Sequence, residues 1–261
     1  MKEIITLAIK NLKFKLREPQ QYLFIFGFPL IFLFIFWIMF SRMSIGNHNQ
    51  FDIFFWGLLG FSTAFATQSA SVAFSQEKES GTLKRLLTTP VANTSYIFTG
   101  FILSEIIIIV FQLTIMYLIA FIALGVYFAN IIALFVNYGM FLLLGIFCIG
   151  IGLILAALLN AKLAGEMPML IIMPLVFLSG IFISFSSPIL YVNPIFWTCA
   201  FAKQIGYAGS NLLDTIEIFD LITMTNIDTG IAVWVCIPMI IAFALGFLAI
   251  GVILFKRKIQ K

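Results

Sequence analysis

The stretch SQEKESGTLKRLLTTPVANTSYIFTG, Ser75 to Gly100, is the longest polar interruption in the first two-thirds of a chain otherwise built mostly from Ile, Leu and Phe. The residues that flank it are too apolar for water. Hydrophobic residues make up 62% of the 261 and charged residues 10%, with a mean hydropathy of +1.12. A soluble domain needs a wetted surface that this composition does not supply. The chain reads as a membrane protein.

A helix needs about 20 apolar residues to cross the roughly 30 Å hydrocarbon layer. Six runs fit: Tyr22 to Phe40, Ile53 to Phe74, Tyr96 to Tyr127, Ile131 to Leu159, Met167 to Ile183 and Ile231 to Phe255. The expected fold class is therefore an all-α integral membrane protein with six transmembrane helices and both termini on one side. Every Lys and Arg except Arg42 and Lys203 falls in the N-terminal segment, the Ser75–Gly100 interruption, the fourth-to-fifth loop or the tail. Asp52, Asp214, Glu217, Asp220 and Asp228 fall on the other side. Because Lys and Arg concentrate on the cytoplasmic face, both termini and the interruption are expected to be cytoplasmic. The first run lacks a small-residue cleavage site and reads as a retained span. The pI near 9.0 follows from this topology and does not imply nucleic-acid binding.

Within residues 1–19, Ile5, Ile9, Leu12 and Leu16 share one helical stripe, and Lys10, Lys13 and Arg17 gather opposite. This pattern predicts an interfacial helix resting on membrane lipid and ended by Pro19. Leu7, Phe14 and Lys15 lie off the pattern, so protein contact is expected as well. In the second run Thr63, Thr67 and Ser71 recur every fourth residue, as do Cys148, Gly152, Ala156 and Asn160 in the fourth. Small residues at that spacing let helices approach closely, and packing is preferred over substrate contact for both ridges. Glu105 is the only acid well inside a run, with Gln112 near the same face. An intramembrane acid is costly, and a functional site and a structural contact stand as equal readings. Residues 184–229 are too long for a turn and too apolar for a solvated loop. They are expected to form short outer re-entrant helices, the second carrying Asp214, Glu217 and Asp220 on one face and Leu212, Leu213 and Ile216 on the other. Cys148, Cys199, Cys236 and His48 show no metal-ligand spacing, so no metal site or catalytic residue is expected.

In the opening stretch, Leu83, Leu86 and Leu87 stand at helical spacing behind Glu77 and Glu79, with Lys84 and Arg85 among them and Pro90 as the stop. A short helix with one apolar face suits a partner's groove. The same residues resemble the signature of type-2 ABC exporter permeases, Glu-basic-Glu-x-Gly-Thr-Leu-x-x-Leu-x-x-x-Pro after the second span. Here it stands as Glu77, Lys78, Glu79, Gly81, Thr82, Leu83, Leu86 and Pro90. The resemblance extends to Leu178-Ser179-Gly180 and Asn193-Pro194. It departs at Gly100-Phe101, where Gly-Lys is common, and at Ile183-Ser184-Phe185, where a proline is usual.

The resemblance implies a single transmembrane domain over residues 1–261 with a cytoplasmic coupling helix in the hairpin 76–95. Glu77, Glu79, Gly81, Thr82, Leu83, Leu86 and Leu87 would pass the closure of an ATPase dimer to the spans. It further implies an exporter permease in a prokaryotic plasma membrane, paired with a second copy or a homologous permease and moving a drug-, antibiotic- or lipid-like amphiphile outward. The chain has no Gly-Lys pair and hence no phosphate loop. ATP and Mg would belong to a separate ATPase subunit, and the chain itself would be neither an enzyme nor a cofactor carrier. The expected pathway contacts are Ser62, Thr67, Gln68, Glu105, Gln112, Met169, Met173 and Phe177. The rival readings are a polysaccharide or glycolipid exporter of the same fold, an ATPase-independent carrier or channel using Glu105, and a membrane scaffold whose hairpin docks a regulator.

Overall fold

The computed structural model describes residues 2–15, 23–45, 48–81, 94–180, 187–220 and 225–259. Its elements in order are α1 (Lys2–Lys15), α2 (Phe28–Phe40), β1 (Ser44–Ile45), β2 (His48–Asn49), α3 (Gln50–Ala64), α4 (Ala66–Glu79), α5 (Thr94–Leu118), α6 (Ile131–Leu158), α7 (Ala161–Phe177), α8 (Pro194–Ala202), β3 (Thr215–Asp220), β4 (Thr225–Ala232) and α9 (Cys236–Ile259). Single π turns precede α2 and follow α5 and α8.

The organising element is α6, because glycines notch it toward three neighbours. A Cβ at Gly150 would lie 2.6 Å from the Leu248 amide nitrogen of α9, and one at Gly152 would lie 2.7 Å from Ala70 Cβ of α4. At Gly145 it would meet Ile109 of α5 at 2.8 Å. The clashes at Gly150 and Gly152 would push two backbones apart, whereas the one at Gly145 would displace the Ile109 side chain; close backbone approach is what associates helices where lipid removes the hydrophobic drive between them. The two ridges expected from the sequence thus meet each other: Gly152 seats between Ala70 and Ser71, with Thr67 alongside. Asn160 leaves its ridge and instead caps α7, accepting the Leu163 amide at 3.0 Å.

Among the described residues, three helices are long and apolar enough to cross a membrane: Tyr96–Ala123, Ile131–Leu158 and Val233–Lys258. A shorter apolar helix covers Ile25–Phe40. The second expected run is divided at Phe65, whose amide bonds back to Ser62 at 3.2 Å. It forms the buried centre of the bundle, with Phe55 through Thr67 all inaccessible. In α7, Ala164, Pro168, Ile172 and Val176 recur every fourth residue as the buried face.

α1 lies against the first turns of α5. Gly100 makes this possible, since a Cβ there would stand 2.9 Å from Leu7 Cβ and 3.1 Å from the Ile4 carbonyl. Ala8, Asn11 and Lys15 are buried, whereas Ile5 and Ile9 are 53% and 46% exposed. The expected apolar stripe therefore faces outward, and the off-pattern residues Leu7 and Lys15 face protein. Leu16, Arg17 and Pro19 lie outside the described residues.

The expectation of an all-α chain is corrected. Besides the small β1–β2 pair, β3 and β4 form an antiparallel hairpin with Glu217 opposite Asp228 and Ile218 opposite Ile227. This hairpin stands where a second re-entrant helix was expected to carry Asp214, Glu217 and Asp220. The physical reason is a period of two in TIEIFD: Ile216 and Ile218 are 1% and 9% exposed, while Glu217 between them is exposed. Such alternation of β-branched and polar residues suits a strand. Leu212 and Leu213 are exposed rather than packed, and Asp214 closes the preceding turn by accepting the Asn211 amide at 2.6 Å. Because β4 runs through Ile231, the last helical segment begins at Val233. The earlier half of the outer segment is helical as expected, with Asn193 capping α8 through the Ile195 amide at 3.0 Å.

Candidate functional site

α4 ends at Ser80, followed by Gly81 at φ +69°. This left-handed conformation is one that glycine adopts without steric cost, and it terminates helices. In the last turn before it, three consecutive charges reach three different elements. Glu77 pairs with Lys10 of α1 at 3.1 Å. The Lys78 ammonium donates to the Ala156 and Leu159 carbonyls at 2.6 and 2.7 Å, at the exit of α6. Glu79 accepts the Ala161 amide at 2.6 Å, at the entry of α7.

Helix ends leave carbonyls and amides without intrahelical partners. A cation on the former and a carboxylate on the latter is also the arrangement that helix dipoles favour. One turn of α4 thus clamps α1, α6 and α7 together. Burial pushes the Lys78 ammonium below the usual lysine range; Glu79 opposes the shift, and Lys258 near the end of α9 adds to it. Of the expected coupling residues, Glu77, Glu79 and Gly81 belong to this turn. Thr82, Leu83, Leu86 and Leu87 lie outside the described residues.

Deeper in the bundle, Lys15 forms a buried ion pair with Glu105 of α5. Ser69 of α4 completes it, accepting from Lys15 at 2.7 Å and donating to Glu105 at 2.9 Å. Glu105 thus makes a structural contact, with Lys15 of α1 as its partner. Sequence reasoning missed Lys15 as the partner. The signal was present: one lysine on the wrong face of an amphipathic helix and one acid alone inside a span are complementary exceptions.

Gln112 makes a neutral counterpart. Its amide donates to the Ile25 and Ser62 carbonyls, both at 2.9 Å, and contacts Ser62 Oγ at 2.7 Å. The eight expected pathway residues therefore divide. Ser62, Thr67, Glu105 and Gln112 are closed inside one chain's bundle. Gln68 is partly buried and reaches the Gly165 carbonyl of α7 at 3.0 Å. Met169 and Met173 are partly buried and Phe177 is exposed, one residue in four along α7. Among the described residues, no three His, Cys, Asp or Glu side chains gather as metal ligands.

A family model described as ABC-2 type transporter matches residues 2–205, which span α1, the charged turn and α8. No curated protein matches the chain.

Proposed function

The chain belongs to the ABC-2 type transporter family, and from that membership we propose that it is the permease subunit of an ATP-driven exporter powered by a separate ATPase. In this reading it crosses the plasma membrane of a prokaryote six times, with both termini and the hairpin 76–95 in the cytoplasm. A second copy or a homologous permease completes the assembly. The cargo is an amphiphilic or hydrophobic molecule of drug, antibiotic or lipid-like character.

The observation that carries the reading is the charged turn. Closure of the ATPase pair displaces the segment that carries Leu83, Leu86 and Leu87, and the displacement enters the bundle at Glu77–Glu79. Since that turn holds α1, the exit of α6 and the entry of α7 at once, these elements move with it. Direction follows if substrate and nucleotide bind the two resulting states with different affinity. Met169, Met173 and Phe177 on α7 supply adaptable apolar contact for such a cargo. The fixed Lys15 partner of Glu105 argues against a carrier that must load and release a proton there.

Inside-out vesicles bearing the chain and its co-expressed ATPase test this with a lipophilic fluorescent dye. Accumulation that requires ATP and persists without a proton gradient supports the exporter. Accumulation that survives ATP removal and collapses with the gradient supports the carrier instead.

A further inference from the structure

We infer that the end of α9 beside the charged turn binds the phosphate headgroup of an anionic phospholipid, whose acyl chains lie along the exposed face of the same helix. The site is independent of whatever cargo the chain carries. Ile241, Leu245, Ala249, Ile253 and Arg257 recur every fourth residue of α9, and all five are exposed. The opposite face, with Ile240, Ala244 and Phe255, is buried against the bundle. From Ile241 to Ile253 the helix rises about 18 Å, which suits one leaflet of a hydrocarbon layer roughly 30 Å thick. The exposed stripe is thus apolar for the depth of a leaflet and then ends in a guanidinium.

Positive charge gathers at that end without a counter-ion. The Lys256 ammonium stands over the Phe98 ring of α5, 5.5 Å from its centre. Lys258 is near enough to Lys78 for its charge to disfavour the Lys78 ammonium. Among the described residues, Lys256, Arg257 and Lys258 make no ion pair. The acids of the charged turn are engaged elsewhere, Glu77 with Lys10 and Glu79 with the Ala161 amide. Neither α9 nor residues 82–93 contain Asp or Glu. The dipole of α9 offers only about half a negative charge to three cations. A phosphodiester supplies the rest: arginine gives it paired donors and lysine a point charge, and basic clusters at the membrane surface bind such headgroups. Two other occupants fit less well. A free phosphate would make no use of the apolar stripe. A second copy meeting this face across a two-fold axis along the membrane normal would set Arg257 against Arg257.

The test reconstitutes the full chain in vesicles of phosphatidylglycerol and phosphatidylcholine in equal amounts. The chain is extracted in mild detergent, and the lipids still bound are counted by native mass spectrometry. The native chain should retain phosphatidylglycerol over phosphatidylcholine by about fivefold or more, the factor expected for even one basic side chain near an anionic lipid. K256Q/R257Q/K258Q should bring the ratio close to one, and Arg257→Gln alone should lower it partway. Should the triple variant not insert, Arg257→Gln carries the test, and a ratio below the native one is the criterion.

Equal ratios for the native chain and the variant overturn the inference. So does release of phosphatidylglycerol when inorganic phosphate is added to the extract and is retained in its place. Recovery of the native chain as a dimer free of lipid also overturns it, because a second copy then covers the face. Each of these outcomes leaves the exporter reading intact.

Discussion

α5 carries two buried polar centres a heptad apart, and they are built on opposite principles. Around Glu105 a carboxylate is matched by an ammonium from another helix, with Ser69 between them. Around Gln112 a neutral amide reaches carbonyls of two other segments and requires no counter-ion. The amide centre only ties segments that are already adjacent. The charged centre imposes a condition on assembly, because Glu105 is tolerable at its depth only once α1 has docked Lys15 beside it. The charged turn at Glu77–Glu79 belongs with the second type. Each of its charges has a partner on a different element, so the polar energy of that end depends on the elements' mutual placement.

The largest effect should come from unpairing the charged centre. Lys15→Ala leaves Glu105 buried without its cation, and loss of about 3–5 kcal/mol is expected, visible as a lowered unfolding temperature in detergent. The double change K15M/E105M should recover most of that loss. Equal destabilisation by the single and double variants would show that the loss does not come from the unpaired charge. Next comes the charged turn. Lys78→Met removes the donor serving the exit of α6 and should cost about 1–3 kcal/mol, the penalty for unsatisfied buried polar groups. Limited proteolysis of the α6–α7 junction should quicken with it, and an unchanged digestion rate would contradict the clamp.

Gln112→Leu should cost less, about 0.6–1.7 kcal/mol as for interhelical hydrogen bonds in membranes, since the carbonyls it leaves are within or beside helical segments. A loss as large as that of Lys15→Ala would show that the two centres do not differ in kind. The smallest effect is expected at Lys10→Ala. Its side chain is 44% exposed, so the pair with Glu77 should contribute no more than about 1 kcal/mol and should weaken as salt is added. A salt-independent loss would indicate packing rather than charge.

Much of this architecture is legible in the sequence, for physical reasons. Long apolar helices announce themselves through composition, and the Thr67/Ser71 and Gly152 ridges through a period of four. The partner of Glu105 was legible only as two complementary exceptions, because Lys15 lies 90 positions away and pairing across that separation is decided by tertiary placement. The charged turn was legible as a motif but not as a clamp. Glu77 and Glu79 read as residues that pass on a partner's motion, whereas in the structure Glu77 pairs with Lys10 and Lys78 and Glu79 bond the helix ends of α6 and α7. The β3–β4 hairpin was misread as a helix because Asp214, Glu217 and Asp220 also fit a helical face. The alternation of Ile216 and Ile218 around Glu217 was the better guide, since burial follows it.

Under the proposed function, the charged turn takes its motion from a separate ATPase through the adjoining segment that carries Leu86. The most direct measurement is a gentle detergent pull-down from the native membrane with mass spectrometry of what stays bound, for the native chain and for Leu86→Asp. Burying an unpaired charge in an apolar groove costs several kcal/mol, so a nucleotide-binding ATPase should be recovered with the native chain and lost with the variant. Recovery of an intact native complex without any ATPase, or equal recovery of the ATPase with Leu86→Asp, would contradict it.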